Sequence, residues 1–222
     1  MGKASVNLAA GMLAALLMAG AYASGGAIEV RVVGPDGAPV PGVVAFVEGG
    51  VAQPRPEDAE IAIMDQVDKQ FLPHILVVRK GTPVTFPNSD PVAHHVYSFS
   101  RPNNFTLPLY KGNPHEPITF EYDGVVTLGC NIHDNMLGYI VVVDSDAFGL
   151  TDESGSVTLE ATDAGEELRV RLWSPRIRDD ETALVSPVVT VQGKPAPVVF
   201  ALNKRLRPER GDSGSSVEWS DY

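Results

Sequence analysis

The sequence predicts an all-β protein of the sandwich or barrel kind, with length for one or two small domains. Short runs of four to seven residues, rich in β-branched and aromatic types, recur along nearly the whole chain. Gly, Pro, Asn and Asp separate them, as turns require. No window beyond the N-terminus combines a helical apolar period with capping residues. Many short strands at this spacing build sandwiches or barrels.

In chain order, residues 1–23 read as a secretory signal peptide. Lys3 opens it, an apolar run covers residues 8–18, and small residues end at Ala21-Tyr22-Ala23, so cleavage is expected after about Ala23. The run is too short to span a bilayer, although an N-terminal anchor is the competing reading. No cysteine follows it, so a lipid anchor is not suggested. The expected location of the mature chain is periplasmic, with no membrane span.

Residues 28–33 alternate as a strand, Gly34-Pro35-Asp36-Gly37 makes a turn, and residues 43–47 form a second strand. Residues 49–56 read as a linker. Further strands are expected at 61–64, 75–78, 84–86, 95–99, 105–110, 118–122, 125–128 and 138–143. Asp123-Gly124 signals a hairpin between two of them. A last group covers 157–159, 168–173, 188–191 and 198–202, with Trp173 expected in its core. From Arg205 the chain is polar without apolar periodicity, and residues 204–222 are expected to be a disordered tail. Two short matches there, Gly211-Asp212-Ser213-Gly214 and Arg210-Gly211-Asp212, lack the context that a protease or an adhesion site requires.

Composition excludes some functions. The chain is 44% hydrophobic and 20% charged, enough for real cores, and its formal net charge is −11. Loss of Lys3 with the signal makes it one unit more negative. Nucleic acid and anionic membrane surfaces are therefore poor partners.

The most informative stretch is Gly129-Cys130-Asn131-Ile132-His133-Asp134-Asn135-Met136. It holds the single cysteine of the chain, spaced C-x2-H-x2-M. Exported proteins keep cysteines as disulfides, so an unpaired one calls for another role. Thiolate, imidazole and thioether at those offsets can reach one metal ion from a single loop. Soft sulfur with imidazole favours copper, and Cys with two His and a weak axial Met is the ligand set of a blue-copper site. The second imidazole is offered upstream by His94 or His95, in Asn88-Ser89-Asp90-Pro91-Val92-Ala93-His94-His95-Val96.

These residues carry a resemblance. The order Asn-x-Asp-x3-His-x-Val, then Gly-Cys-x2-His-x2-Met, is similar to the cupredoxins, and the short gap before Met136 looks like amicyanin. The longer set, from Met64-Asp65-Gln66 through Phe71-x-Pro73, Phe86 to Asp90, His94 to Ser100 and Gly129 to Gly138, resembles cupredoxin-like proteins of the methylamine utilization type. It implies a Greek-key cupredoxin sandwich over residues 60–144 that holds one type 1 copper ion. The implied ligands are His94, Cys130, His133 and Met136, with Asn88 and His95 in supporting positions. His95 stands where the family usually has Asn, so His95 is the competing first ligand. Residues 33–44, with Thr151 to Gly155 and Ala164 to Val170, resemble the two parts of a carboxypeptidase-regulatory-like, transthyretin-like sandwich. That resemblance implies parts at 27–55 and 145–203 with the copper domain inserted between them. Extra strands on the copper domain are the alternative for the first part.

The implied function is an electron carrier, not an enzyme, exchanging single electrons with a dehydrogenase or a c-type cytochrome. Three rivals remain at this point. A multicopper enzyme needs several more histidines than the five present. A copper-delivery protein tends toward clustered exposed Met or His. A non-redox binding module would need only the second sandwich.

Overall fold

The computed structural model describes residues 26–48, 60–112, 114–161, 167–177, 189–190 and 197–208. The expected signal peptide, the 49–56 linker and most of the tail lie outside the described residues. Among those described, every regular element is a strand. The chain begins with β1 (Gly26–Val33) and β2 (Val44–Glu48). Next come β3 (Ala62–Ile63), β4 (Asp65–Val67), β5 (Gln70–Leu72), β6 (Ile75–Arg79) and β7 (Pro83–Thr85). β8 (His94–Ser98), β9 (Phe105–Tyr110), β10 (Ile118–Thr119), β11 (Gly124–Gly129) and β12 (Leu137–Val143) follow. The last are β13 (Phe148–Leu150), β14 (Ser156–Ala161), β15 (Glu167–Trp173), β16 (Val189–Thr190) and β17 (Val198–Ala201).

Among the described residues there are five sheets, of which four stack in layers and the fifth is the two-stranded β4-β5. The outermost has the order β14-β1-β17, and beneath it lies β13-β2-β15-β16. Alternation fixes their facing sides: Ile28, Val30 and Val32 point inward from β1, and Leu168, Val170 and Leu172 from β15. The strand at 28–33 pairs with β14 and β17, both beyond Phe148, and among the described residues with no strand between 61 and 143. The third and fourth sheets, β6-β12-β11-β8-β9 and β10-β7-β3, enclose a second core that includes Phe71, Phe86, Phe120, Leu128 and Ile140.

The two sandwiches meet back to back. Val44, Phe46, Phe148 and Trp173 pack against Ile75, Val77, Val141 and Val143, which face away from the second core. This explains why β12 is buried at every position from Ile140 to Val143 while β1 alternates. A strand covered on both faces reads as a continuous apolar run. Each such valine contributes on the order of 1.5–3 kcal/mol if fully removed from water.

Three expectations need correction. Asp123-Gly124 does not close a hairpin: β10 pairs with β7 and β11 with β12 and β8, so the turn carries the chain from one sheet to the other. Gly124, at φ 131°, supplies the backbone that this crossing needs. Trp173 is not in the core of its own sandwich. As an odd position of β15 it points outward, where its ring meets Tyr139 edge-on at 5.4 Å. The chain also stays packed beyond Lys204. Arg205 pairs with Asp36 at 2.9 Å, Leu206 lies on the first core, and the Arg207 amide donates to the Arg176 carbonyl.

Candidate metal centre

Two strand ends and one loop build the site. β8 and β11 run antiparallel with Tyr97 opposite Gly129, so the first residue of β8 lies beside the chain leaving β11. Residues 130–136 form the loop between β11 and β12. The Met136 amide donates to the His133 carbonyl at 2.9 Å and draws that loop into a tight turn. A shift of register separates His94 from Val96 on β8, and His94 turns fully into the interior.

His94, Cys130 and His133 converge, with one ligand atom of each within 4.8 Å of the others. The two Nδ1 atoms are 3.1 Å apart, and Cys130 Sγ is 3.8 Å from each. A metal held at about 2.0–2.1 Å from nitrogen and about 2.3 Å from sulfur spreads its donors about 3–4 Å apart. The observed triangle fits such an ion. Cys130 is buried and in no disulfide, so its sulfur is available.

The triangle is held from behind. His94 Nε2–H donates to Asp90 Oδ2 at 2.6 Å. The same carboxylate accepts the Asp68 amide at 2.7 Å and the Lys69 amide at 2.8 Å. Burial pushes the Asp90 carboxyl up, but the Lys69 amide, His94 and the Asp68 amide together hold it below its ordinary value. An ionised carboxylate has no proton to give, so the His94 proton must sit on Nε2. Nδ1 then presents a lone pair to Cys130 and His133, the tautomer that a ligand needs.

Asp68 and Lys69 form the turn of the β4–β5 hairpin, with φ of 51° and 59°. Two central residues in the left-handed region are the geometry of a tight hairpin turn. Their successive amides point to one side and make a cradle for an anion. The hairpin is tied to the 88–90 segment again by Ser89, whose hydroxyl donates to Asp65 at 2.7 Å and whose amide donates to the Gln66 carbonyl.

Asn88 lies in the same layer. Its side-chain amide donates to the Val92 and Tyr110 carbonyls at 3.0 Å each, and its Oδ1 accepts the Asp90 amide. It therefore fixes the segment that carries Asp90 and the β9 end paired with His94. The Tyr110 hydroxyl bonds the Phe86 carbonyl and Gln66, and burial pushes its phenol up to about 12. His95 points to the opposite face of β8 from His94, is half-buried, and is not part of the triangle. Its Nδ1 is buried without a hydrogen-bond partner among the described residues. Met136 is 2% exposed, within the second core at the end of the ligand loop. His74 and His115 lie against Tyr139 and Tyr110 instead of the triangle.

Asp90 is the residue that sequence reasoning passed over. Its i, i+4 spacing to His94 stood in the Asn-x-Asp-x3-His pattern. What the sequence did not reveal is the hairpin more than twenty residues upstream that holds the carboxylate.

No family model matches the chain, and no curated protein matches it. Among solved structures, a purple cupredoxin from Nitrosopumilus maritimus is similar at 24% identity, over 37% of this chain and 99% of that one, with a TM-score of 0.33. Amicyanin from Paracoccus versutus is similar at 20% identity, over 40% and 85% of the two chains, with a TM-score of 0.34. A copper-containing nitrite reductase from Thermus scotoductus SA-01 reaches 25% identity over 50% of this chain and 28% of that one, with a TM-score of 0.37. Scores this low decide nothing, and the functional reading rests on the side chains.

Proposed function

We propose that this chain is a copper protein of the cupredoxin type that carries single electrons. The observation that carries this reading is the buried convergence of His94 Nδ1, His133 Nδ1 and Cys130 Sγ, with no disulfide partner for the cysteine. One copper ion, when bound there, supplies a one-electron couple. The proposed ligands are His94, Cys130 and His133, with Met136 as a weak fourth donor.

The remaining chemistry belongs to the protein. Asp90 keeps His94 in the tautomer whose free nitrogen faces the site. Burial of His94 and Cys130 keeps water from the thiolate. The β scaffold fixes the loop ends, which lowers the rearrangement accompanying each electron. His133 is half-buried and offers a route toward the surface. Deep burial of two ligands suits a retained ion better than one handed on, so delivery is the weaker reading.

The organisation we propose is a copper domain at 60–144 inserted into a transthyretin-like sandwich at 27–55 and 145–203, the strand pairings of β1 supporting it. A periplasmic setting, with a dehydrogenase as donor and a c-type cytochrome as acceptor, completes the proposal. It rests on the leader-like N-terminus and the sequence resemblance. No helix among the described residues is long and apolar enough to cross a membrane. The test is a copper titration of the purified chain followed by visible and spin-resonance spectra. One equivalent should produce an intense thiolate-to-copper band with narrow hyperfine splitting. A colourless protein after one equivalent rejects the reading.

A further inference from the structure

Two of the candidate ligands ride on neighbouring strands, and the joint between those strands is thin. His94 opens β8, and Cys130 follows the last residue of β11. β11 pairs with β12 along its whole length, from Gly124 to Gly129, and β8 pairs with β9 from His94 to Ser98. Between β8 and β11 the register holds a single pair among the described residues, Tyr97 opposite Gly129. Beyond that pair the Thr127 amide donates to the Ser100 hydroxyl oxygen at 3.0 Å, a side chain standing in for a ladder bond. The spacing of His94 and Cys130 therefore leans on one pair of residues.

That pair is an aromatic ring over a glycine. Along β11, Val126 and Leu128 point into the second core and Cys130 continues that face, so Gly129 lies on the outer one. Tyr97 also points outward, and its ring crosses the space that a side chain at 129 would fill. A methyl group there would stand 2.8 Å from both Cζ and the hydroxyl oxygen of Tyr97. Glycine admits the ring, and the ring covers a strand residue that has no side chain of its own to pack. Phe99, 79% exposed, stacks on Tyr97 with centroids 5.0 Å apart at 45°.

We propose that Tyr97 is a positioning residue for the metal centre. Clamped over Gly129 and backed by Phe99, its ring holds the joint that spaces His94 from Cys130. It also closes the peptide entering Cys130 from water on the face opposite the triangle. Its part in electron transfer rests on the copper reading, and its grip on Cys130 does not. Tyr97 acts through Gly129 and not on the ion. A site that changes oxidation state quickly needs ligands held by their surroundings, and a loosened joint lets thiolate and imidazole shift with each electron.

The single thiol of the chain makes the clamp measurable without metal. In the full metal-free chain, Tyr97→Ala should speed modification of Cys130 by a thiol reagent about tenfold, and Tyr97→Phe should react at the parental rate. The acceleration should be insensitive to dilute denaturant, the mark of a local opening as opposed to global unfolding. Gly129→Ala should accelerate modification by displacing the ring, yet add little to Tyr97→Ala, in which the ring is already gone. In the copper-loaded chain, Tyr97→Ala should widen the hyperfine splitting and slow electron exchange with a small soluble one-electron reagent about tenfold, and Tyr97→Phe should keep both. A parental thiol rate in Tyr97→Ala, acceleration in Tyr97→Phe, or an acceleration that grows with denaturant as global unfolding does overturns the proposal. Failure of the copper reading shows separately, as a parent chain without a visible band whose thiol rates still follow the ring.

Discussion

Asp90 Oδ2 lies 2.6 Å from His94 Nε2, and two consecutive turn amides hold the same carboxylate from the other side. One buried acid thus joins a hairpin turn to the orientation of a candidate ligand. Such outer partners matter to metal sites nearly as much as the ligands do.

Asp90→Asn tests this link. The amide can still accept the His94 proton, but its NH2 end faces an amide donor and leaves it unsatisfied. Metal affinity should fall about 10–100-fold, and the metal-free protein should lose about 1–3 kcal/mol. Competition titration against a chelator and a denaturant melt measure both. Unchanged affinity with lowered stability would reduce Asp90 to a brace of the loop.

Lys69→Gly tests the turn itself. Lys69 holds φ at 59°, where a side chain costs about 1–2 kcal/mol. Glycine removes that cost and keeps the amide that Asp90 needs. The melting temperature should rise while metal affinity stays the same. A fall in stability would mean that the Lys69 side chain contributes more than its backbone conformation costs.

Trp173→Ala tests the seam between the sandwiches. The ring meets Tyr139, three residues past Met136, and truncation should cost about 2–3 kcal/mol, less than for a wholly enclosed tryptophan. Calorimetry should resolve two transitions in the variant where the parent chain shows one. A single unshifted transition would mean that the seam adds no cooperativity.

The parts of the fold that can be read in the sequence are those fixed by local pattern. The alternation of Ile28, Val30 and Val32 marks β1, and the cysteine loop declares itself by residue type and spacing alone. What could not be read depends on distant partners. Asp123-Gly124 has the composition of a hairpin turn, yet tertiary pairing sends β10 and β11 to different sheets. Trp173 looks like core because it is large and apolar, and only its parity on β15 turns it to the seam. Asp68-Lys69 lacks the glycine that usually marks such a turn, so the β4–β5 hairpin and its grip on Asp90 gave no local signal.

Met136 should tune potential more than affinity. A long thioether bond adds little binding energy but affects the balance between oxidation states. Met136→Leu should keep copper and raise the potential, and Met136→Gln should lower it. Voltammetry on the two variants decides. Identical potentials in both would leave Met136 as a packing residue of the second core.

The central claim is that Cys130 is a copper ligand, and Cys130→Ser tests it most directly. Serine is nearly isosteric, but its hydroxyl is hard and rarely deprotonated, so it is a far poorer ligand for copper. Visible absorption of the copper-loaded variant, beside His94→Ala and His95→Ala and with melting curves for all three, is the measurement. The account predicts that Cys130→Ser folds normally and loses the charge-transfer band, that His94→Ala weakens it, and that His95→Ala perturbs it least. A band that survives in Cys130→Ser, or one abolished by His95→Ala but not by His94→Ala, would contradict it.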